Sequence, residues 1–299
     1  MADIAGELLW RSASQGLPLP PQCGGDNSAA SFTVLHVAIW NDHEVTVAEL
    51  LDRMAQQVPP PVLIHPLGGT PLMHAARHGS VRVAAILLQH RADIHARHDC
   101  GHTAASFAAC NGHSAVLRML LQAKAAADVP LHFGVTVDCR PIHLATCSGH
   151  TDTVDLLLRA NVRLDAHDGY GMTPTSYAVQ SGQTAVLQNM LKARADVNAA
   201  DLWTGSSLVE HAAKRENLFL LRLLLRAKAD VSTHSRNGLH LAASLGRFKV
   251  VKLLLQAKAN VGALDEFGRT VLHMAADNKR RAVVKLLVRA KARVDVQSA

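Results

Sequence analysis

Two apolar stripes alternate along the chain. One is short and rich in alanine, the other is richer in leucine and valine, and polar turns separate them. The short stripe opens on TVLHVA at Thr33, TPLMHA at Thr70, TAASFA at Thr103, RPIHLA at Arg140 and TPTSYA at Thr173. It continues with SLVEHA at Ser207, NGLHLA at Asn237 and TVLHMA at Thr270. The intervals are 37, 33, 37, 33, 34, 30 and 33 residues, so eight copies cover roughly residues 33 to 295. A second phrase follows within each copy, as in ILLQHRADI, LLLRAKADV and LLLQAKANV. Self-similarity at such a period marks a repeat architecture.

The local chemistry predicts helix–turn–helix units. Threonine caps a helix start, and a following proline occupies the first helical position, where no amide hydrogen is needed. A short alanine-rich helix comes next. Gly79, Gly112, Gly149, Gly182 and Gly246 then permit a left-handed turn. The second helix carries its Leu/Val stripe at helical spacing, and Asp, Asn and Gly turn the chain toward the next copy. Just past the second helix, where a left-handed residue is expected and glycine would serve best, stand Arg91, Lys124, Asn161, Arg194, Lys228, Lys258 and Lys291. Their cations offset part of the backbone cost by about 0.3–1 kcal/mol against the negative end of the helix dipole.

These strings resemble the ankyrin repeat family, most closely at Thr70-Pro71-Leu72, Thr270-Val271-Leu272-His273 and Ala195-Asp196-Val197-Asn198. The resemblance implies an all-α solenoid of stacked helix–turn–helix units with hairpin fingers. It also implies a concave face built from fingers and first helices, and a hydrogen-bonding role within the stack for His36, His143, His240 and His273. Residues 33–295 are expected to form about eight repeats. Residues 1–32 are read as a capping helix (GELLWRSASQG) with a Pro/Gly/Ser-rich linker, and 296–299 as a tail. Insertions are expected after the first and third repeats, in QQVPPPVLIHPLGG and DVPLHFGVTV. The sixth repeat has an extra residue in its turn, DLWTG, and the seventh lacks a Thr-Pro entry.

Composition sharpens this picture. Hydrophobic residues make up 48% and aromatics only 4%, which suits closely packed helices. No apolar run reaches the ~20 residues that span a bilayer. Five cysteines without a C-x-x-C fit a reduced, intracellular protein, cytoplasmic or nuclear. The N-terminus lacks the pattern of a signal peptide. Net charge is +7, and Lys279, Arg280, Arg281, Lys285, Arg289, Lys291 and Arg293 supply it within one acid-free segment.

The stretch HARHDCGH places His95, His98, Cys100 and His102 within eight residues. Zinc is usually held by four such ligands. His98, Cys100 and His102 share one face of a hairpin, with His65 or His132 as conceivable neighbours, but His95 points the other way. A polar finger tip is the favoured reading, with no metal and no cofactor expected. Cys110 with His113 and Cys147 with His150 recur at equivalent positions, so they are read as repetition rather than catalytic dyads. No phosphate-binding loop, nucleophile elbow or kinase signature appears.

The chain is therefore expected to be a non-catalytic protein–protein interaction module, a monomeric scaffold or adaptor without membrane insertion. Its expected contacts are Trp40, Asn41, Arg77, His78, Gln180, Ser181, Lys214, Arg215, Asp277 and Asn278 late in the first helices. At the finger tips they are Tyr170, Met172, Trp203, Arg236 and Phe267. A nucleic-acid-associated or transcription-complex role through the basic last repeat is the alternative.

Overall fold

The structure, a computed structural model, describes residues 34–55, 69–98, 101–133, 136–231 and 238–293. The proposed capping helix, the tail, Arg236, Cys100 and His65 lie outside these residues.

Among the described residues, eight helix pairs follow one another at the predicted places. The first three are α1 (Val34–Trp40) with α2 (Glu44–Ala55), α3 (Pro71–His78) with α4 (Val81–Gln89), and α5 (Ala104–Cys110) with α6 (Ser114–Gln122). Then come α7 (Pro141–Cys147) with α8 (Thr151–Arg159) and α9 (Pro174–Gln180) with α10 (Thr184–Lys192). The last three are α11 (Leu208–Arg215) with α12 (Leu218–Arg226), α13 (Gly238–Leu245) with α14 (Phe248–Gln256), and α15 (Val271–Asp277) with α16 (Arg281–Arg289). The chain divides into two bodies, one ending at Val129 with repeats one to three, the other beginning at Pro130 with repeats four to eight. The insertion after repeat three forms a small antiparallel hairpin, β1 (Leu131–Phe133) with β2 (Thr136–Cys139), an exception to the all-α expectation.

Capping explains why each first helix starts where it does. The side chains of Thr70, Thr103, Thr173 and Thr270 accept a hydrogen bond from the backbone amide three residues on, and Ser207 does the same. Pro71, Pro141 and Pro174 hold the first helical position. The first helices of neighbouring repeats pack on one another within each body. Alanines at this layer, such as Ala75, Ala108, Ala145, Ala178, Ala212 and Ala242, are fully buried, so backbones approach closely. The second helices contribute the larger core groups, including Leu117, Leu157, Leu187, Leu221 and Leu254.

The second helices end as the sequence suggests. Arg91, Lys124, Asn161, Arg194, Lys228, Lys258 and Lys291 all adopt positive φ, between 57° and 69°. In repeat three the Lys124 amide donates to the Leu121 carbonyl and the Ala125 amide to the Leu120 carbonyl. This double closure satisfies carbonyls that the helix end would otherwise leave unpaired. It recurs in repeat two and in repeats four to eight, and the residue after the left-handed position is buried at Ala125, Val162, Ala195, Ala229, Ala259 and Ala292.

The turn between paired helices is left-handed as well. At Gly79 a Cβ atom would run into the His113 ring of the next repeat, so glycine there is needed for room as well as for φ. Asp42, Glu216 and Lys279 take the same conformation without being glycine. The Glu216 carboxylate also pairs with Arg247 of the following repeat at 2.6 Å.

Candidate functional site

The histidine slot of the first helices is a structural network. In repeat four the Arg140 amide donates to His143 Nδ1 at 3.1 Å. Nε2 therefore carries the proton and donates to the Ala166 carbonyl at 3.0 Å. His240 Nε2 reaches the Arg269 carbonyl at 3.3 Å in the same sense. Burial lowers the pKa of both rings and keeps them neutral, which this bonding requires. His273 caps its own helix, accepting the Thr270 amide on Nδ1 at 3.1 Å.

The fingers are organised by aspartates that the sequence reading did not single out. Asp168 accepts the Tyr170 and Met172 amides on Oδ1, and the Tyr177 hydroxyl donates to its Oδ2 at 2.7 Å. Burial and that hydrogen bond raise the Tyr177 pKa. In repeat six, Asp201 is 3% exposed and His211 Nε2 lies 2.8 Å from its Oδ2. Asp265 binds the Phe267 and Arg269 amides and the Arg269 guanidinium. Burial pushes the Asp265 carboxyl up, but these donors outweigh it and hold the pKa below its ordinary value. The common signal is an aspartate shortly before a glycine, as in DGYG, DLWTG and DEFG. The inserted residue of repeat six is absorbed here. Gly171 and Gly268 close four-residue turns on Asp168 and Asp265, whereas Gly205 closes a five-residue turn on Asp201.

Two exposed features stand on this framework. First, α11, α13 and α15 leave a groove of about 430 Å³, lined by Glu210, His211, Lys214, Leu241, Ser244 and Met274 among others. Second, neighbouring finger tips meet at Gly171 and expose large side chains. Tyr170, Leu202 and Trp203 are 62%, 69% and 76% exposed. The Leu202 amide donates to the Gly171 carbonyl at 2.9 Å, and the Trp203 indole lies over Gly171, where a Cβ would collide with it.

The expected contact residues divide accordingly. Lys214 lines the groove, and Arg215, Gln180, Asp277 and Asn278 are exposed nearby on their own helix ends. Phe267 is 52% exposed with the Arg269 guanidinium 5.0 Å from its ring centroid. Ser181 is half-buried, its hydroxyl 3.9 Å from Cys147 Sγ. In the first body Trp40 is exposed and packs on the exposed His78 at 4.9 Å, Asn41 bonds back to the Val37 carbonyl, and Arg77 lies over Phe107. Met172 is corrected. It is 8% exposed, a core group beneath the finger, because the left-handed Gly171 and the bonds between Asp168 and Met172 turn the chain between the exposed Tyr170 and Met172.

His102 is also a packing group. Its ring stacks on Phe107 at 4.4 Å and its Nδ1 lies 2.9 Å from Ser106 Oγ, and burial pushes its pKa down to about 4. His98 meets the same Phe107 edge-on. No group of three or more His, Cys, Asp or Glu side chains is placed to hold a metal among the described residues. His113 Nε2 is engaged with the Arg77 carbonyl at 2.9 Å. Burial pushes the Cys139 thiol up to about 12, so it is a poor nucleophile.

A family model described as ankyrin repeats matches in three copies, at residues 35–132, 129–201 and 209–298. The chain is 38% identical over 92 residues to the E3 ubiquitin-protein ligase hecd-1 of Caenorhabditis elegans. That match covers 30% of this chain and 3% of the ligase. It is 30% identical over 95 residues to the B-cell lymphoma 3 protein homolog of Mus musculus, covering 31% of this chain and 21% of that protein. Both similarities lie in stretches far shorter than the relatives themselves. No helix among the described residues is long and apolar enough to cross a membrane.

Proposed function

The chain belongs to the ankyrin repeat family, whose members generally mediate protein–protein interaction, and from that premise we propose that it is a non-catalytic scaffold or adaptor whose second body grips a protein partner. The finger tips at Tyr170, Leu202 and Trp203 and the groove bearing Lys214 form the contact surface. Arg215, Gln180, Asp277, Asn278 and Phe267 extend it. The observation that carries this reading is the exposure of Tyr170 and Trp203 on neighbouring finger tips, in a chain where aromatics are only 4% of residues. Large aromatic anchors commonly contribute about 2 kcal/mol or more each at an interface. The two relatives named above share only repeat-sized segments with this chain, so neither ligase activity nor any other property of those proteins enters the proposal.

The test is the double variant Tyr170→Ala/Trp203→Ala. Partners are first identified by affinity capture and mass spectrometry, then binding of the purified partner is measured. Loss of two anchors should weaken binding by about three orders of magnitude, with the melting curve nearly unchanged because both side chains are mostly solvent-exposed. A variant that melts several degrees earlier yet still binds when cold would make these residues packing groups.

A further inference from the structure

We infer that the outer-helix layer of repeats six to eight is a docking surface for an anionic membrane. Helices α12, α14 and α16 pack side by side in the second body, roughly 10 Å apart as packed helices are. Residues 218–228, 247–258 and 279–291 contain no aspartate or glutamate. Their cations align across the three helices. Arg222, Lys252 and Lys285 occupy the fifth helical position, and Lys228, Lys258 and Lys291 the left-handed position after each helix end. All six are exposed. Just outside these stretches, Glu216 is engaged by Arg247 and Asp277 is exposed two positions before Lys279. Of the other outer helices, α8 carries Asp152 and Asp155 and α2 carries Glu44, Glu49 and Asp52. Helices α4, α6 and α10 lack acids but hold one Lys or Arg each (Arg82, Arg118 and Lys192), against two or three in α12, α14 and α16.

The shape of the array selects the partner. A single strand of nucleic acid or an extended acidic peptide matches a line of charge in a groove. Here the cations spread in two dimensions over a layer of helices, as a sheet of lipid headgroups does. Phe219 and Phe248, 63% and 41% exposed, stand at the starts of two of these helices. Such aromatics can enter the headgroup boundary while the cations remain at the phosphates. The inner-helix groove is not involved, so this surface leaves the partner site free.

Co-sedimentation of the full chain with vesicles of phosphatidylcholine containing about a third phosphatidylserine tests the inference. Binding is expected to these vesicles and not to phosphatidylcholine alone, and to fall as salt rises. Each cation near an anionic surface contributes about fivefold, so Arg222→Gln/Lys252→Gln/Lys285→Gln should weaken binding by about a hundredfold. Phe219→Ser should weaken it further without changing the salt dependence. Equal binding to both vesicle types, no vesicle binding, or an unaffected triple variant overturns the inference. So does preferential binding of duplex DNA over vesicles, which would reassign the surface to a phosphodiester backbone. Circular dichroism of each variant confirms that the fold is retained, and a variant that unfolds is replaced by Lys228→Gln/Lys258→Gln/Lys291→Gln.

Discussion

Repeats five and six perform the same structural tasks with different chemistry. In repeat five a proline opens the first helix, Gly182 makes the turn between helices, and a neutral phenol, Tyr177, supports the finger aspartate. In repeat six Ser207 opens the helix without proline, Glu216 makes the turn, and His211 faces a finger aspartate that is almost wholly buried. The backbone conformations match, but the electrostatic stakes do not. Asp168 retains two backbone donors whatever Tyr177 does, whereas Asp201 Oδ2 is met by side chains, His211 at 2.8 Å and the Thr204 hydroxyl at 3.4 Å. A regular backbone can therefore hide unequal dependence on single side chains.

The largest expected effect separates those two aspartates. His211→Ala leaves the buried Asp201 carboxylate with only the long Thr204 contact on Oδ2 and should cost about 2–3 kcal/mol. Tyr177→Phe removes one hydrogen bond from an aspartate that keeps two amides and should cost about 1 kcal/mol. Urea unfolding of both variants checks the ordering, and equal losses would erase the contrast.

An alkaline titration sharpens it from the other side. Tyr177 has a folded pKa raised by burial and by its bond to Asp168. The folded state then holds a proton that the unfolded chain releases near pH 10. The stability this contributes is fully present below about pH 10 and is lost progressively as pH rises above it. In urea melts above that pH, Tyr177→Phe should flatten the decline, while His211→Ala should leave its slope as in the parent chain.

The smallest effect is expected at the turn. A left-handed conformation costs a non-glycine residue about 1–2 kcal/mol, so Glu216→Gly relieves strain. It also removes the pair with Arg247, whose side chains are 39% and 38% exposed and whose contribution is about 0–1 kcal/mol. The net change should be a stabilisation of about 1 kcal/mol or less, seen as a small rise in the urea midpoint. A clear destabilisation would mean that the Glu216–Arg247 pair holds repeats six and seven together.

The helices and their ends were legible because their determinants are local. Thr70, Pro71 and Gly79 act on the backbone within a turn of themselves, and Lys124 or Arg194 ends its helix with bonds to carbonyls three residues back. The finger aspartates were not legible. Asp168 and Tyr177 are nine positions apart, Asp201 and His211 ten, and Asp265 uses Arg269 in its own finger instead, so no fixed spacing announces the pairing. The candidate surface was legible only in part. Tyr170 and Trp203 are as exposed as expected, but Met172 turns into the core because the left-handed Gly171 breaks the extended run between it and Tyr170. The hairpin at 131–139 arose where an insertion was visible but its pairing was not.

The closure after each second helix has a further consequence. The Ala-Lys or Ala-Arg step, its left-handed residue and its two backbone bonds are all made within one repeat, as at Leu120, Leu121, Lys124 and Ala125. Such a junction does not depend on which copy comes next. A recombination event that joins the end of one copy to the start of another leaves every closure whole, so a gene of this kind can gain or lose whole copies without first inventing a new ending. The length of the array is then free to drift by duplication while each copy's interior is held by its own packing.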